Sequence, residues 1–219
     1  MNEEDIILPI TWSGVLTLVR HGETNYNLEN RFQGITDVSL NHKGKKQAKK
    51  SAKYLFDWSV KNNRYFDIIL SSPLNRCIET AKEFEKLYEI EVIKEELLKE
   101  RNYGVFEGLK HREAHEKYPD LFSDYQQDKP FISLPGGETA FDVEARMRDL
   151  LLHKIPEEYS MKKEILLVTH LNPIRAVFRL LGLANWDIYF KIFNSASINR
   201  IQIENNKAKF EFCDHCPLN

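Results

Sequence analysis

Cysteine is scarce in this chain of 219 residues: Cys77, Cys213 and Cys216 are too few for a disulfide framework. Cys213 and Cys216 form a Cys-x-x-Cys with His215 between them, but a zinc site needs a second ligand pair at suitable spacing and the sequence has none. That end reads as a tail with two free thiols. Neither charge is in excess, with 31 Lys and Arg against 33 Asp and Glu. A broad basic field for nucleic acid is therefore missing, and any attraction for anions has to be local. No apolar run approaches the length of a membrane span, and the opening Met-Asn-Glu-Glu-Asp is acidic, unlike a secretory signal. The expectation is a cytoplasmic protein with no membrane and no nucleic-acid partner; composition says nothing of oligomeric state. Repeats and low-complexity tracts are also missing. With 42% apolar residues, 1–219 reads as a single domain around one core, with 1–14 as an N-terminal extension. Ile6-Ile7-Leu8-Pro9-Ile10 and Trp12 in that extension are apolar enough to pack on the domain or on a partner.

What is present is a set of short apolar runs that end in polar chemistry. Val15-Leu16-Thr17-Leu18-Val19 runs into Arg20-His21, Ile68-Ile69-Leu70 into Ser71-Ser72-Pro73, and residues 165–168 into Thr169-His170. Runs this apolar fit strands buried on both faces, as in a parallel sheet. Helical periodicity fills 43–56, 76–88, 141–152 and 174–181, the last just after Pro173, which suits a first turn. Residues 90–93 are a short strand candidate, and 197–203 with 208–212 around Asn205-Asn206 read as a closing hairpin. The fold class is α/β: a three-layer α/β/α arrangement around a mostly parallel sheet. Residues 101–140, rich in Tyr, Asp, Gln, Pro and Gly, form an insertion over the sheet edge, a lid or specificity region.

In such sheets ligands sit beyond the carboxyl ends of the strands, where all three motif-bearing runs end. Arg20-His21-Gly22 puts there a cation for an anion, an imidazole able to attack phosphorus, and a residue without Cβ that lets backbone come close. Arg76 stands at the start of a helix, where a cation opposes the dipole unless an anion is present, and the free amides of that turn would add to an anion site. His170 ends a second parallel-type strand. A lone histidine there is commonly a polar rim residue; two histidines and two arginines converging on one edge are not. Lys46, Lys49 and Lys50 lie opposite the apolar positions of their helix and read as a solvated face rather than a binding patch.

The surrounding text is more specific: Leu18-Val-Arg-His-Gly-Glu-Thr24, Arg31-Phe-Gln-Gly34, Asp37, Ser71-Ser-Pro-Leu-Asn-Arg76, Glu100-Arg-Asn-Tyr-Gly104 with Glu107-Gly108, Gly136-Gly-Glu-Thr139 and Val168-Thr-His170. In order and spacing this resembles the histidine phosphatase superfamily, the phosphoglycerate-mutase-like fold, from about residue 15 to 197. The resemblance implies that His21 is the nucleophile that becomes phosphorylated. It implies that Arg20, Arg76 and His170 surround the phosphoryl oxygens, that Asn27 adds a phosphate contact, and that Glu100 protonates the leaving group, with Glu107 the nearby competitor. Such a nucleophile has to be unprotonated, and its other ring nitrogen is expected to donate to a carbonyl near Gly22. Partial burial of Glu100 would help it hold a proton. The cationic cradle does the work magnesium does elsewhere, so no metal and no cofactor is expected.

The resemblance leaves two activities and a third possibility outside enzymes. Mutases return the phosphoryl group to substrate, phosphatases pass it to water, and a binding module would keep the fold but lose a cradle residue, of which none is missing. Mutases of this type carry adjacent arginines in the lid for the substrate carboxylate, whereas here 121–128 reads Leu-Phe-Ser-Asp-Tyr-Gln-Gln-Asp. Unpaired charge in a closed site is costly, and this favours a histidine acid-type phosphatase acting on a small phosphorylated metabolite. Many relatives have glycine after the second histidine; Leu171-Asn172-Pro173 stands here, adding bulk and removing an amide. Glu23, Thr24, Arg101, Tyr103 and Asn172 are the candidates for the rest of the substrate cavity.

Overall fold

In the computed structural model, residues 9–217 are described. Six strands form one sheet: β1 (Gly14–Arg20), β2 (Ile68–Ser71), β3 (Val92–Lys94), β4 (Glu164–Thr169), β5 (Ile198–Glu204) and β6 (Lys207–His215), in the order β3-β2-β4-β1-β5-β6. The first four in that order run parallel, and β5 and β6 close the far side antiparallel. Alternation along the central strands builds two cores. Leu16 and Leu18 of β1 with Ile165 and Leu167 of β4 face one side, and Val19 with Leu166 and Val168 face the other. Each such side chain is worth about 1.5–3 kcal/mol on burial, which is why these strands need no polar face.

The helices α1 (Asn25–Leu28), α2 (His42–Asn62), α3 (Asn75–Tyr88), α4 (His111–Lys117), α5 (Pro119–Gln127), α6 (Ala140–Asp149), α7 (Ile155–Glu158) and α8 (Leu171–Leu180) complete the chain. Ala52 and Leu55 of α2 and Ala81 and Phe84 of α3 cover one sheet face, while Val143 and Met147 of α6 and Ile174 and Val177 of α8 cover the other. Three boundaries differ from the sequence expectation. α2 continues to Asn62 and stops at Asn63, which takes the left-handed conformation at φ 50°. α6 passes through a π-helical stretch, Leu150–Lys154, into α7, because Pro156 has no N–H for the carbonyl four residues back. α8 begins at Leu171, three residues early, since Pro173 sits in a first turn whose amides lack intrahelical acceptors.

Ile10 and Trp12 are buried in the same core as α6 and α8, and Trp12 Nε1 donates to the Lys162 carbonyl at 2.8 Å. This part of the extension packs on its own domain, and Ile6-Ile7-Leu8 lies outside the described residues. Cys213 falls within β6 rather than in a tail and is a free thiol, as are Cys77 and Cys216. Lys46, Lys49 and Lys50 are exposed. Among the described residues no helix is long and apolar enough to cross a membrane.

The insertion of 101–140 carries α4 and α5, and its Phe106 and Tyr125 form a small aromatic core with Phe32. Arg101 ties it down, donating to the carbonyls of Lys129 at 2.6 Å, Ile132 at 2.5 Å and Glu138 at 2.6 Å.

Candidate active site

β1 delivers Arg20 and His21 to the carboxyl edge of the sheet, and neighbouring strands hold them there. His21 N donates to Thr169 O at 3.0 Å, and His21 O accepts from Ala196 N at 3.1 Å. The next residue has to be glycine. A Cβ on Gly22 would lie 2.4 Å from the Gly44 carbonyl oxygen at the start of α2, and Gly22 N donates to Thr80 Oγ1 at 3.1 Å. The His21 ring is 2% exposed, and its Nδ1 lies 2.8 Å from the Gly22 carbonyl. A carbonyl only accepts, so Nδ1 carries the proton and Nε2 keeps its lone pair.

Arg76, in the first turn of α3, is fully buried and its guanidinium meets three acceptors. Nη2 donates to Gly34 O at 2.6 Å, Nη1 to Thr36 O at 2.9 Å and Nε to His170 Nδ1 at 3.2 Å. His170 Nε2 then donates to Ser72 Oγ at 2.8 Å, with its ring centroid 5.1 Å from that of His21. Arg20 donates through Nη1 to the Phe193 carbonyl, and its buried Nε has no partner among the described residues. Burial first, then the charges of Arg76 and Arg20, push His21 well below the ordinary 6.5 of imidazole. His170 is lowered in the same way, by burial, then by Arg76 and His21.

Both histidines are thus neutral when folded and take up protons more readily when unfolded. Between 6.5 and their folded values the unfolded chain binds more protons, so stability falls as pH drops through that window. Urea unfolding should show a lower unfolding free energy at about pH 5 than at about pH 6.5. The His21→Asn variant, having lost one of the two groups, should show a shallower decline; equal slopes would contradict this.

Glu100, 7% exposed, lies across from the histidines where its carboxylate meets the start of α8. Oε1 accepts from Arg101 N at 2.9 Å, Asn172 N at 3.2 Å and Asn172 Nδ2 at 3.0 Å, and Oε2 from Leu171 N at 3.2 Å. Glu107 is elsewhere: its carboxylate binds Ile35 N at 2.8 Å, Thr36 N at 2.9 Å and Tyr103 N at 3.1 Å, fixing the loop whose carbonyls Arg76 holds. The free amides expected at the start of α3 are also occupied in part. Asn75 N and Nδ2 each donate to the Asp37 carboxylate at 2.7 Å, an acidic group drawn to the positive end of the helix.

A cavity of about 250 Å³ opens on this edge, and Arg20, His21, Asn27, Arg76, Glu100 and Tyr103 line it. The remaining expected contacts are not on its wall. His170 stands beside His21 with both nitrogens engaged. Glu23 turns to Lys43 Nζ at 2.7 Å and Asn41 Nδ2 at 3.0 Å, and Thr24 caps α1 by accepting from Asn27 N at 3.1 Å. Arg101 is buried as the tie of the insertion, with no surface role. Asn172, 2% exposed, reaches Glu100 and, at 2.9 Å, Tyr103 Oη, holding two wall residues rather than forming wall itself.

Arg175 and Lys129 line the cavity and escaped the sequence reading. Arg175 could have been found, because it falls one helical turn after Leu171 on a helix that begins at the site. Lys129 follows Asp128 in a polar stretch and carried no such mark. Among the described residues no group of three or more His, Cys, Asp or Glu is arranged to hold a metal ion.

Residues 16–214 match the family described as the histidine phosphatase superfamily (branch 1). Phosphoserine phosphatase 1 of Hydrogenobacter thermophilus is 34% identical over 168 residues, 76% of this chain and 76% of that protein. A 2,3-bisphosphoglycerate-dependent phosphoglycerate mutase of Bartonella henselae is 33% identical over 76% of this chain and 80% of its own. The fold is that of a solved putative alpha-ribazole-5'-P phosphatase from Escherichia coli, at TM-score 0.81 and 22% identity, covering 93% of this chain and 97% of that one.

Proposed function

The chain belongs to the histidine phosphatase superfamily, and from that premise we propose that it hydrolyses small phosphomonoesters through a phosphohistidine on His21. The observation that carries this reading is the state of His21. It is a neutral imidazole whose tautomer leaves Nε2 free, beside the half-buried Arg20 and the fully buried Arg76, neither of which has a carboxylate partner within 4 Å among the described residues. In the first step Nε2 forms a bond to phosphorus as the ester oxygen leaves, and Glu100 gives that oxygen a proton. Oε2 of Glu100 meets a single donor where Oε1 meets three, so Oε2 has room for the proton. Arg20 holds the charge that builds on the phosphoryl oxygens, and Arg76 adds its field while fixing His170 and the loop at Gly34. In the second step water attacks the phosphohistidine, Glu100 takes a proton from it, and inorganic phosphate leaves with Nε2 restored.

Two relatives bear on the fate of the phosphoryl group. One is named for phosphoserine hydrolysis and one for phosphoglycerate mutation. Hydrolysis is the better reading because α5 offers the cavity Tyr125 and no arginine pair. The experiment is a phosphate-release assay over a panel of metabolite esters, run beside isomerisation of 3-phosphoglycerate. Phosphate release should outrun isomerisation. Faster isomerisation would establish the mutase instead, and no release or transfer from any ester would end the enzyme reading.

A further inference from the structure

The cavity holds more positive charge than a phosphoryl group needs. Arg20, Arg76, Arg175 and Lys129 line it, and none of the four has a carboxylate within 4 Å among the described residues. Arg31 also reaches the wall but is paired with Glu29 at 2.7 Å and Glu113 at 3.2 Å. Glu100 is the acidic residue on that wall. A phosphoryl dianion and Glu100 together still leave at least one cation unmatched, and buried charge without a counter-ion is expensive.

Arg175 is the clearest case. It is 7% exposed, burial lowers its pKa, and its bonds run only to neutral oxygens: Nε at 3.1 Å and Nη2 to the Lys191 carbonyl, and Nη1 at 3.3 Å to Asn172 Oδ1. One N–H on each Nη remains, the pair with which a guanidinium grips both oxygens of a carboxylate. Lys129 stands over the Phe190 ring at 5.7 Å, its main-chain carbonyl is fixed by Arg101, and its ammonium has no ion pair among the described residues.

We propose that Arg175 and Lys129 form a seat for a second anionic group of the substrate, and that the substrate is a phosphomonoester carrying a carboxylate. This rests on the hydrolase reading and narrows it to phosphorylated organic acids. The mutase-type arginine pair is absent from 121–128; these two cations come from another helix and another loop, so the carboxylate they hold lies elsewhere than in a mutase and the hydrolase reading stands.

The test uses two esters that differ at one carbon, 3-phosphoglycerate and glycerol 3-phosphate, with the intact enzyme. Wild type should favour 3-phosphoglycerate by about tenfold or more in kcat/KM, mainly through KM. Lys129→Met and Arg175→Met should each cut that preference about tenfold, with a far smaller change on glycerol 3-phosphate. Lys129 is half-buried, so its variant serves even where the more deeply buried Arg175 variant fails to fold. A preference near one in wild type, or one left intact in the Lys129 variant, overturns the seat. Calorimetric binding of the two esters to His21→Ala protein keeps the two readings apart. Tighter binding of 3-phosphoglycerate with no phosphate release by wild type sinks hydrolysis and keeps the seat; equal binding sinks the seat whatever the turnover.

Discussion

The His21→Ala variant should lose phosphate release by a factor on the order of 10⁴ or more, and with it all labelling by a phosphate donor. Removing a covalent nucleophile leaves only binding and charge stabilisation, which account for a small residue of the rate. Wild type quenched in alkali during turnover should carry an acid-labile phosphate on the protein; the variant should carry none. The change is mild for the fold, since the imidazole makes its single side-chain bond to the carbonyl of the next residue. Label persisting in the variant would place the nucleophile elsewhere, with His170 the first suspect at 5.1 Å between ring centroids.

The Arg76→Lys variant should lose about 10³-fold in kcat/KM and also unfold at a lower urea concentration. Lysine keeps the charge but not the fork. One ammonium on a flexible stem does not replace three directed bonds to Gly34 O, Thr36 O and His170 Nδ1. Each buried acceptor left unpaired costs about 1–3 kcal/mol, so the stability loss and the loss of a fixed site arrive together. Arg76→Met should be worse in rate for want of the charge. A lysine variant with wild-type kcat/KM would show that Arg76 acts as a simple point charge, with no catalytic role for its forked geometry.

The parallel strands were legible because burial on both faces leaves an unbroken apolar signature, seen at 15–19, 68–70 and 165–168. The meeting of Arg20-His21 and His170 at one sheet edge was legible because the runs of β1 and β4 lead straight into them. What was not legible depends on partners remote in sequence. Glu23 looked available for substrate until the fold brought Asn41 and Lys43 to it, and Arg101 until the carbonyls of Lys129, Ile132 and Glu138 enclosed it. Asp37 occupies the Asn75 amide at the start of α3, which the helix pattern left free for a ligand. The start of α8 was displaced by weighting Pro173 as a boundary when a first turn absorbs it at no hydrogen-bond cost.

The placing of β1 has a consequence for how the site comes into being. Its two sheet neighbours, β4 and β5, are made roughly 150 and 180 residues later in the chain, as the pairing of Leu18 with Leu167 and of Val19 with Ile198 requires. During synthesis the segment bearing His21 therefore waits, apolar and unpaired, while most of the polypeptide is still to be made. Contacts this distant in sequence make folding slow, because the entropy of loop closure is lost before sheet pairing offsets it. The His21 imidazole meets His170 only once β4 has paired with β1, so a partly synthesised chain carries His21 without the surroundings it has in the finished fold.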